Sequence, residues 1–258
     1  MQALRDFREV VDVQTIVVTG LALLATHLCN YYQFHAELPS GLIGIAIIFP
    51  IVFSINAAYR RREEVLRYFA SIKAHAVAIQ FAHRDWEGSD LAGGARGKEL
   101  VMDLLGRIHD YFTEHKDADE PTRHAAVYGV FNRFSASHET LRESGVSNSE
   151  ISRMNQYLRA IVIDFEKMRN LNLYQTPRSL RAYSQVFLNL FPILYAPYFA
   201  QICMDSYLVV GYAVAGMYSI VLVTLDNIQE DLENPFDKIG VDDVNLDVAG
   251  NFDKILEG

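Results

Sequence analysis

The chain has 258 residues, of which 50% are hydrophobic and 21% are charged. This amount of apolar surface excludes an intrinsically disordered protein, and two cysteines are too few for a disulfide framework or a multi-cysteine zinc module. The formal net charge of −9 argues against a nucleic-acid-binding protein, which needs a basic face to displace phosphate counterions. The apolar residues are concentrated in four blocks, a pattern typical of membrane proteins.

Each apolar block is long enough to cross a bilayer as a helix. The blocks cover residues 13–29, 41–58, 182–204 and 206–225, and none contains Asp, Glu, Lys or Arg. A helix rises about 1.5 Å per residue and the hydrocarbon layer is about 30 Å thick, so about 20 apolar residues span it. Buried core helices of a soluble protein are the alternative interpretation. The last block also has a face of small residues that favours close helix packing: Gly211, Ala213, Ala215, Gly216 and Ser219.

The placement of Lys and Arg predicts how these spans are oriented. No Lys or Arg occurs between Arg8 and Arg60 or between Arg181 and Lys238, so both predicted outer loops lack Lys and Arg. Basic residues flank the opposite ends of the spans instead. The positive-inside rule therefore predicts a multi-pass integral membrane protein with both termini in the cytoplasm.

The region between the second and third spans is charged and has helical periodicity. We expect a long helix that continues from the second span to Trp86, and then a loop at residues 87–97. Further helices are expected near residues 98–115, 121–142 and 149–172, the last with a capping box formed by Ser147 and Glu150. The predicted parts are residues 1–58, a lead-in with spans 1 and 2; residues 59–181, a helical cytoplasmic domain; residues 182–225, spans 3 and 4; and residues 226–258, an acidic cytoplasmic segment.

The sequence offers little support for an enzyme. HExxH, paired CxxC, GxSxG and glycine-rich phosphate motifs are all missing from it, so we predict no catalytic residue. Cys29 and Cys203 lie near the predicted outer ends of their spans, where either buried free thiols or a disulfide would fit. Among Asp, Glu, Lys, Arg and His, only His27 occurs within the blocks, which disfavours a proton-coupled transporter.

The second span has an apolar stripe suited to a passive conduit. Ile45, Phe49 and Phe53 are four residues apart and share one helix face, with Ser54 and Asn56 towards the cytoplasmic end. Five copies around an axis would form three apolar rings, a constriction that can wet and dewet. Ordinary packing between helices is the other explanation for this stripe.

Three stretches of the sequence resemble the bestrophin family of anion channels. They are LPSGLIGIAIIFPIVFSINAAYRRREEVL at 38–66, YQTPRSLRAYSQVFLNLFPILYAP at 174–197 and DLENPFDKIGVDDVNLD at 231–247. The resemblance implies an all-α protein with four transmembrane helices, assembled as a homopentamer around a central pore for chloride or similar small anions. It places the neck at Ile45, Phe49 and Phe53. A second aperture is implied near Thr176 and Arg178, where Arg178 would form a ring of positive charge. The other interpretation of Arg178 is an anchor that holds the third span at the lipid headgroups.

The resemblance also raises the question of calcium. In calcium-gated members the acidic run after the last span binds Ca²⁺, and Asp231, Asn234 and Asp242 match that run in part. No cofactor is required, and Ca²⁺ is a candidate. Pro50 departs from the family by breaking the second span between two neck residues.

Two alternatives to an anion channel remain open. One is a cation-selective member of the same family. The other is a non-conducting membrane scaffold that binds partners through its cytoplasmic helices and acidic tail.

Overall fold

The computed structural model describes residues 11–37, 40–86, 91–113, 119–174, 178–236, 243–248, 252 and 255–256. Over these residues the secondary structure is helical and contains no strand, which confirms the all-α class for this part of the chain. The helices are α1 (Val13–Tyr31), α2 (Ser40–Trp86), α3 (Leu91–Thr113), α4 (Glu120–Glu143), α5 (Asn148–Leu173), α6 (Arg178–Leu194), α7 (Ala196–Asp205) and α8 (Leu208–Glu233).

The chain divides into two compact units. The membrane unit comprises Met1–Arg60 and Thr176–Glu233, and the extramembrane unit comprises Arg61–Gln175 and Asn234–Gly258. Among the described residues, three helical stretches are long and apolar enough to cross a bilayer: Val13–Tyr31, Gln185–Asp205 and Leu208–Glu233. The second predicted span is the first part of α2 and is not one of these three, and its side chains are described only in part.

Prolines act differently in the two predicted spans that contain them. The break expected at Pro50 is wrong, because α2 continues through this residue to Trp86. A proline removes one backbone hydrogen bond, and membrane helices tolerate this loss when neighbouring groups compensate. The third span is instead divided at Tyr195, between α6 and α7. Pro197 lies in the first turn of α7, where its missing N–H costs no helical hydrogen bond.

The loop expected at residues 87–97 is wrong in its second half, because α3 already begins at Leu91. Glycines suggested the loop, but here they allow α3 to approach α2 closely. A Cβ at position 97 would lie 2.8 Å from the Cβ of His83. The amide of Gln80 also donates to the carbonyl of Gly94 over 3.0 Å. Packing between the two helices therefore outweighs the low helix propensity of glycine.

The helices α4 and α5 agree closely with their predicted ranges. Ser147 is the N-cap of α5, and its hydroxyl accepts from the backbone N–H of Glu150 over 3.4 Å. The predicted capping signal is thus confirmed on the serine side.

The acidic C-terminal segment contributes to the core of the extramembrane unit. The ring of Phe236 stacks on Phe112 with centroids 4.4 Å apart. Val244 and Leu246 are also buried in this core, whose other members come from α2 to α5. The described part of this segment is therefore packed and not merely solvated, because its apolar residues supply surface that the helices bury.

The membrane unit packs through small residues of α8. Gly211, Ala215 and Ser219 are buried, whereas Ala213 of the predicted small-residue face is exposed. A Cβ at position 211 would lie 2.7 Å from the carbonyl oxygen of Phe199, so glycine permits the contact between α7 and α8. Cys29 and Cys203 are free thiols, which excludes the disulfide alternative.

Candidate functional site

Among its described side chains, the membrane-unit part of α2 exposes large apolar residues on a shared face. Ile45, Phe49 and Phe53 are 56%, 58% and 63% exposed in the protomer. Ile48, Val52 and Asn56 are also exposed. At about 100° per residue, these six positions fall within an arc of about 140°. The predicted neck residues therefore share a single surface.

The opposite face of α2 fixes the direction of this surface. Ile51, Ser54 and Ala58 are each at most 2% exposed. Ile51 belongs to an apolar cluster with Leu188 of α6 and Leu222 of α8. Because these contacts anchor one side of α2, the phenylalanine rings point away from their own protomer. Ser54 lies on the anchored side, so it does not share the exposed face with Asn56.

The two phenylalanines of the exposed face contact each other along the helix. Their ring centroids are 5.9 Å apart with an interplanar angle of 43°. Aromatic pairs in this range favour tilted arrangements, which gives the rings a preferred orientation. The face is thus an ordered aromatic surface that ends in the amide of Asn56.

The other exposed surfaces of the membrane unit differ in character. In the middle of α1 the large exposed residues are aliphatic, among them Val17, Leu21 and Leu24. On α8 they include Val209, Val214 and Val221, together with Met217. Aliphatic surfaces of this kind suit the hydrocarbon of a bilayer. The face of α2 differs from these because it carries two phenylalanine rings and ends in the polar side chain of Asn56.

The remaining predicted site residues are described only in part. Thr176 lies outside the described residues, and Arg178 is the first residue of α6 with its side chain outside the description. The second aperture therefore stays a prediction.

The candidate calcium ligands give an incomplete site. Asp231 is in the last turn of α8, Asn234 directly follows that helix, and Asp242 lies outside the described residues. Ca²⁺ takes about six to eight oxygen ligands, and two described residues do not supply them. Within the described part of the chain, no group of three or more His, Cys, Asp or Glu side chains is arranged to hold a metal. Calcium binding therefore stays a prediction.

A polar network in the membrane unit was not predicted from the sequence. The amide of Gln14 in α1 donates to Asn189 in α6 over 2.9 Å, and the amide of Asn189 donates to Asp226 in α8 over 3.1 Å. Asp226 is only 4% exposed. Hydrogen bonds of this kind join membrane helices that gain little from hydrophobic burial. The sequence features that could have indicated this network are the single Asn in the third apolar block and the Asp directly after the fourth.

The extramembrane unit contains a second network, centred on Arg169 of α5. Its guanidinium donates to Glu120 over 3.0 Å and to the hydroxyl of Tyr111 over 3.1 Å. Hydrogen bonds from Tyr111 and then from Arg169 lower the pKa of Glu120, while burial and Glu120 raise the pKa of Tyr111. The network connects α3, α4 and α5 and has the geometry of a structural tie.

Comparisons with known proteins identify the fold. Neither a known family model nor a curated protein sequence matches the chain. Three solved structures of variants of a bacterial bestrophin homologue from Klebsiella pneumoniae do match it, with TM-scores of 0.79, 0.79 and 0.80. They are 15%, 16% and 16% identical to this chain, cover 94% of it, and are themselves covered over 96%, 96% and 97% of their length. The fold of this chain is therefore that of the bacterial bestrophin homologues.

Proposed function

We propose that the chain is a homopentameric ion channel that passes chloride or similar small anions passively through a central apolar neck. Ile45, Phe49 and Phe53 line this neck. The observation that carries the proposal is the exposure of these three side chains on one face of α2. The bestrophin-like fold supports it, because the resemblance of the sequence to that family implies the same neck.

An exposed aromatic face in a membrane needs lipid, another subunit or a pore beside it. The aliphatic faces of α1 and α8 suit lipid, whereas the face of α2 also carries two phenylalanine rings and ends in Asn56. Around a central axis, such faces form an apolar constriction. Ions pass through it when water fills it and are blocked when the water is expelled. The neck controls passage, and charged groups elsewhere on the pore supply selectivity.

The scaffold alternative is weakened by the position of the acidic segment. Phe236, Val244 and Leu246 are buried in the extramembrane core, so this stretch is occupied within its own protomer. The cation-selective alternative keeps the same architecture and differs only in the charges along the pore.

Ion flux from proteoliposomes tests the proposed channel. The purified protein should release chloride down its gradient. Phe49→Ala and Phe53→Ala should raise the flux by about tenfold or less. The smaller alanine side chains widen the apolar constriction, which lowers the free-energy barrier for water to fill it. Leu24→Ala, on the aliphatic face of α1, is the matched control and should leave the flux unchanged. A correctly folded assembly with no flux, or equal effects of all three variants, would refute the proposal.

A further inference from the structure

Arg60 is an exposed cation at the polar end of the neck face. It is the last residue of the membrane-unit part of α2, and its side chain is exposed. Across the residues that the structure describes, Arg60 has no hydrogen-bond or ion-pair partner. Its charge is therefore available to a mobile ion.

The spacing of residues along α2 places Arg60 on the same helix face as the neck residues. Phe49, Phe53, Asn56 and Arg60 follow one another at intervals of four, three and four residues, which is the spacing of one helix face. At about 1.5 Å per residue, Arg60 lies roughly 10 Å beyond Phe53 along the helix. Tyr59 beside it is 51% exposed.

The neighbouring arginine Arg62 is in a different situation. It donates to Glu63 over 3.0 Å, and its side chain is only 21% exposed. The pairing of Arg62 with Glu63 also gives the carboxylate of Glu63 its own cation. Of these two arginines, Arg60 is the one with an uncompensated charge.

We propose that Arg60 forms a ring of positive charge at the mouth of the neck and sets the preference of the pore for anions. The inference rests on the proposed function. The guanidinium groups, one from each subunit, would surround the pore axis. Their electrostatic potentials would add at the position of an ion that has left the neck. Rings of arginine or lysine select anions by this mechanism, and guanidinium keeps its charge at every physiological pH.

The reversal potential of the full-length channel in a neutral phosphatidylcholine bilayer under a KCl gradient tests this role. The preference for chloride over potassium should fall by about tenfold in Arg60→Gln and should reverse in Arg60→Glu. Arg60→Lys keeps the charge and should retain the preference. Arg67→Gln removes a different exposed arginine of α2 and should change the ratio little.

Each outcome separates this inference from the proposed function. If the unsubstituted protein does not conduct, the proposed function fails and the role of Arg60 fails with it. If it conducts and Arg60→Gln leaves the ratio unchanged, only the inference is overturned, and Arg60 contacts lipid headgroups instead. An equal shift in Arg67→Gln would also overturn it, because the effect would then come from general surface charge.

Discussion

At the scale of single residues, two buried histidines make the extramembrane unit sensitive to acid. The rings of His83 and His138 are 6.0 Å apart, and both are at most 2% exposed. Nδ1 of His83 lies 2.9 Å from the carbonyl oxygen of Ile79 and must donate there, because a carbonyl only accepts. Nδ1 of His138 lies 2.8 Å from the side-chain oxygen of Asn155. Burial lowers the pKa of both histidines below their ordinary value of 6.5.

The lowered pKa values predict that the protein loses stability on mild acidification. The unfolded chain binds protons near pH 6.5, but the folded histidines resist protonation until a lower pH. The stabilising contribution of the neutral histidines is therefore complete above about pH 6.5, the pKa of the unfolded chain. It is lost as the pH falls from there through the lower pKa values of the folded protein. Thermal unfolding followed by circular dichroism should show a lower Tm at about pH 5.5 than at about pH 7.5.

The double variant His83→Asn, His138→Asn provides the control for this prediction. It should be less stable at neutral pH, because two packed rings are lost, but its Tm should depend less on pH over the same range. In the extramembrane unit, hydrogen bonds lower the pKa of Glu120 and Glu166, which moves these carboxylates away from this window. A pH dependence as steep as that of the unsubstituted protein would show that other groups cause the effect.

At the scale of single elements, the contact of α8 with α7 depends on Gly211. A methyl group there would lie 2.7 Å from the carbonyl oxygen of Phe199 and 2.9 Å from the backbone nitrogen of Cys203. Because backbone atoms cannot rotate away, Gly211→Ala should destabilise the membrane unit by about 1–3 kcal/mol. Thermal stability of the purified protein in detergent measures this change.

Gly20 of α1 is the matched control for Gly211. A Cβ at position 20 would meet nothing within 4 Å. Gly20→Ala should therefore leave the stability unchanged or raise it by up to about 1 kcal/mol, because alanine favours the helix. Equal losses in both variants would contradict the close contact inferred at Gly211.

The elements also show what the sequence can and cannot predict. The stripe of Ile45, Phe49 and Phe53 was predictable, because helical spacing alone places residues four apart on one face. The burial of Ser54 was less apparent, since it depends on which side of α2 packs against α6 and α8. The start of α3 was missed because the contact of Gly97 with His83 is tertiary, and propensity contains no information about it.

At the scale of the whole molecule, the fold was predictable from patterns that extend over the chain. Apolar blocks of bilayer length and helical periodicity between them predicted an all-α membrane protein, and the matched structures share that fold over 94% of the chain. The polar tie through Asn189 and Asp226 was not predictable, because its partners are 37 residues apart and only packing brings them together. The number of subunits is a property of the assembly, which the protomer alone does not determine.

Single-particle imaging of the protein in lipid nanodiscs tests most directly whether five copies surround a central pore. We expect a ring of five copies in which Phe49 and Phe53 from every subunit face a continuous central passage. A monomer, or an assembly in which these rings face lipid, would contradict it.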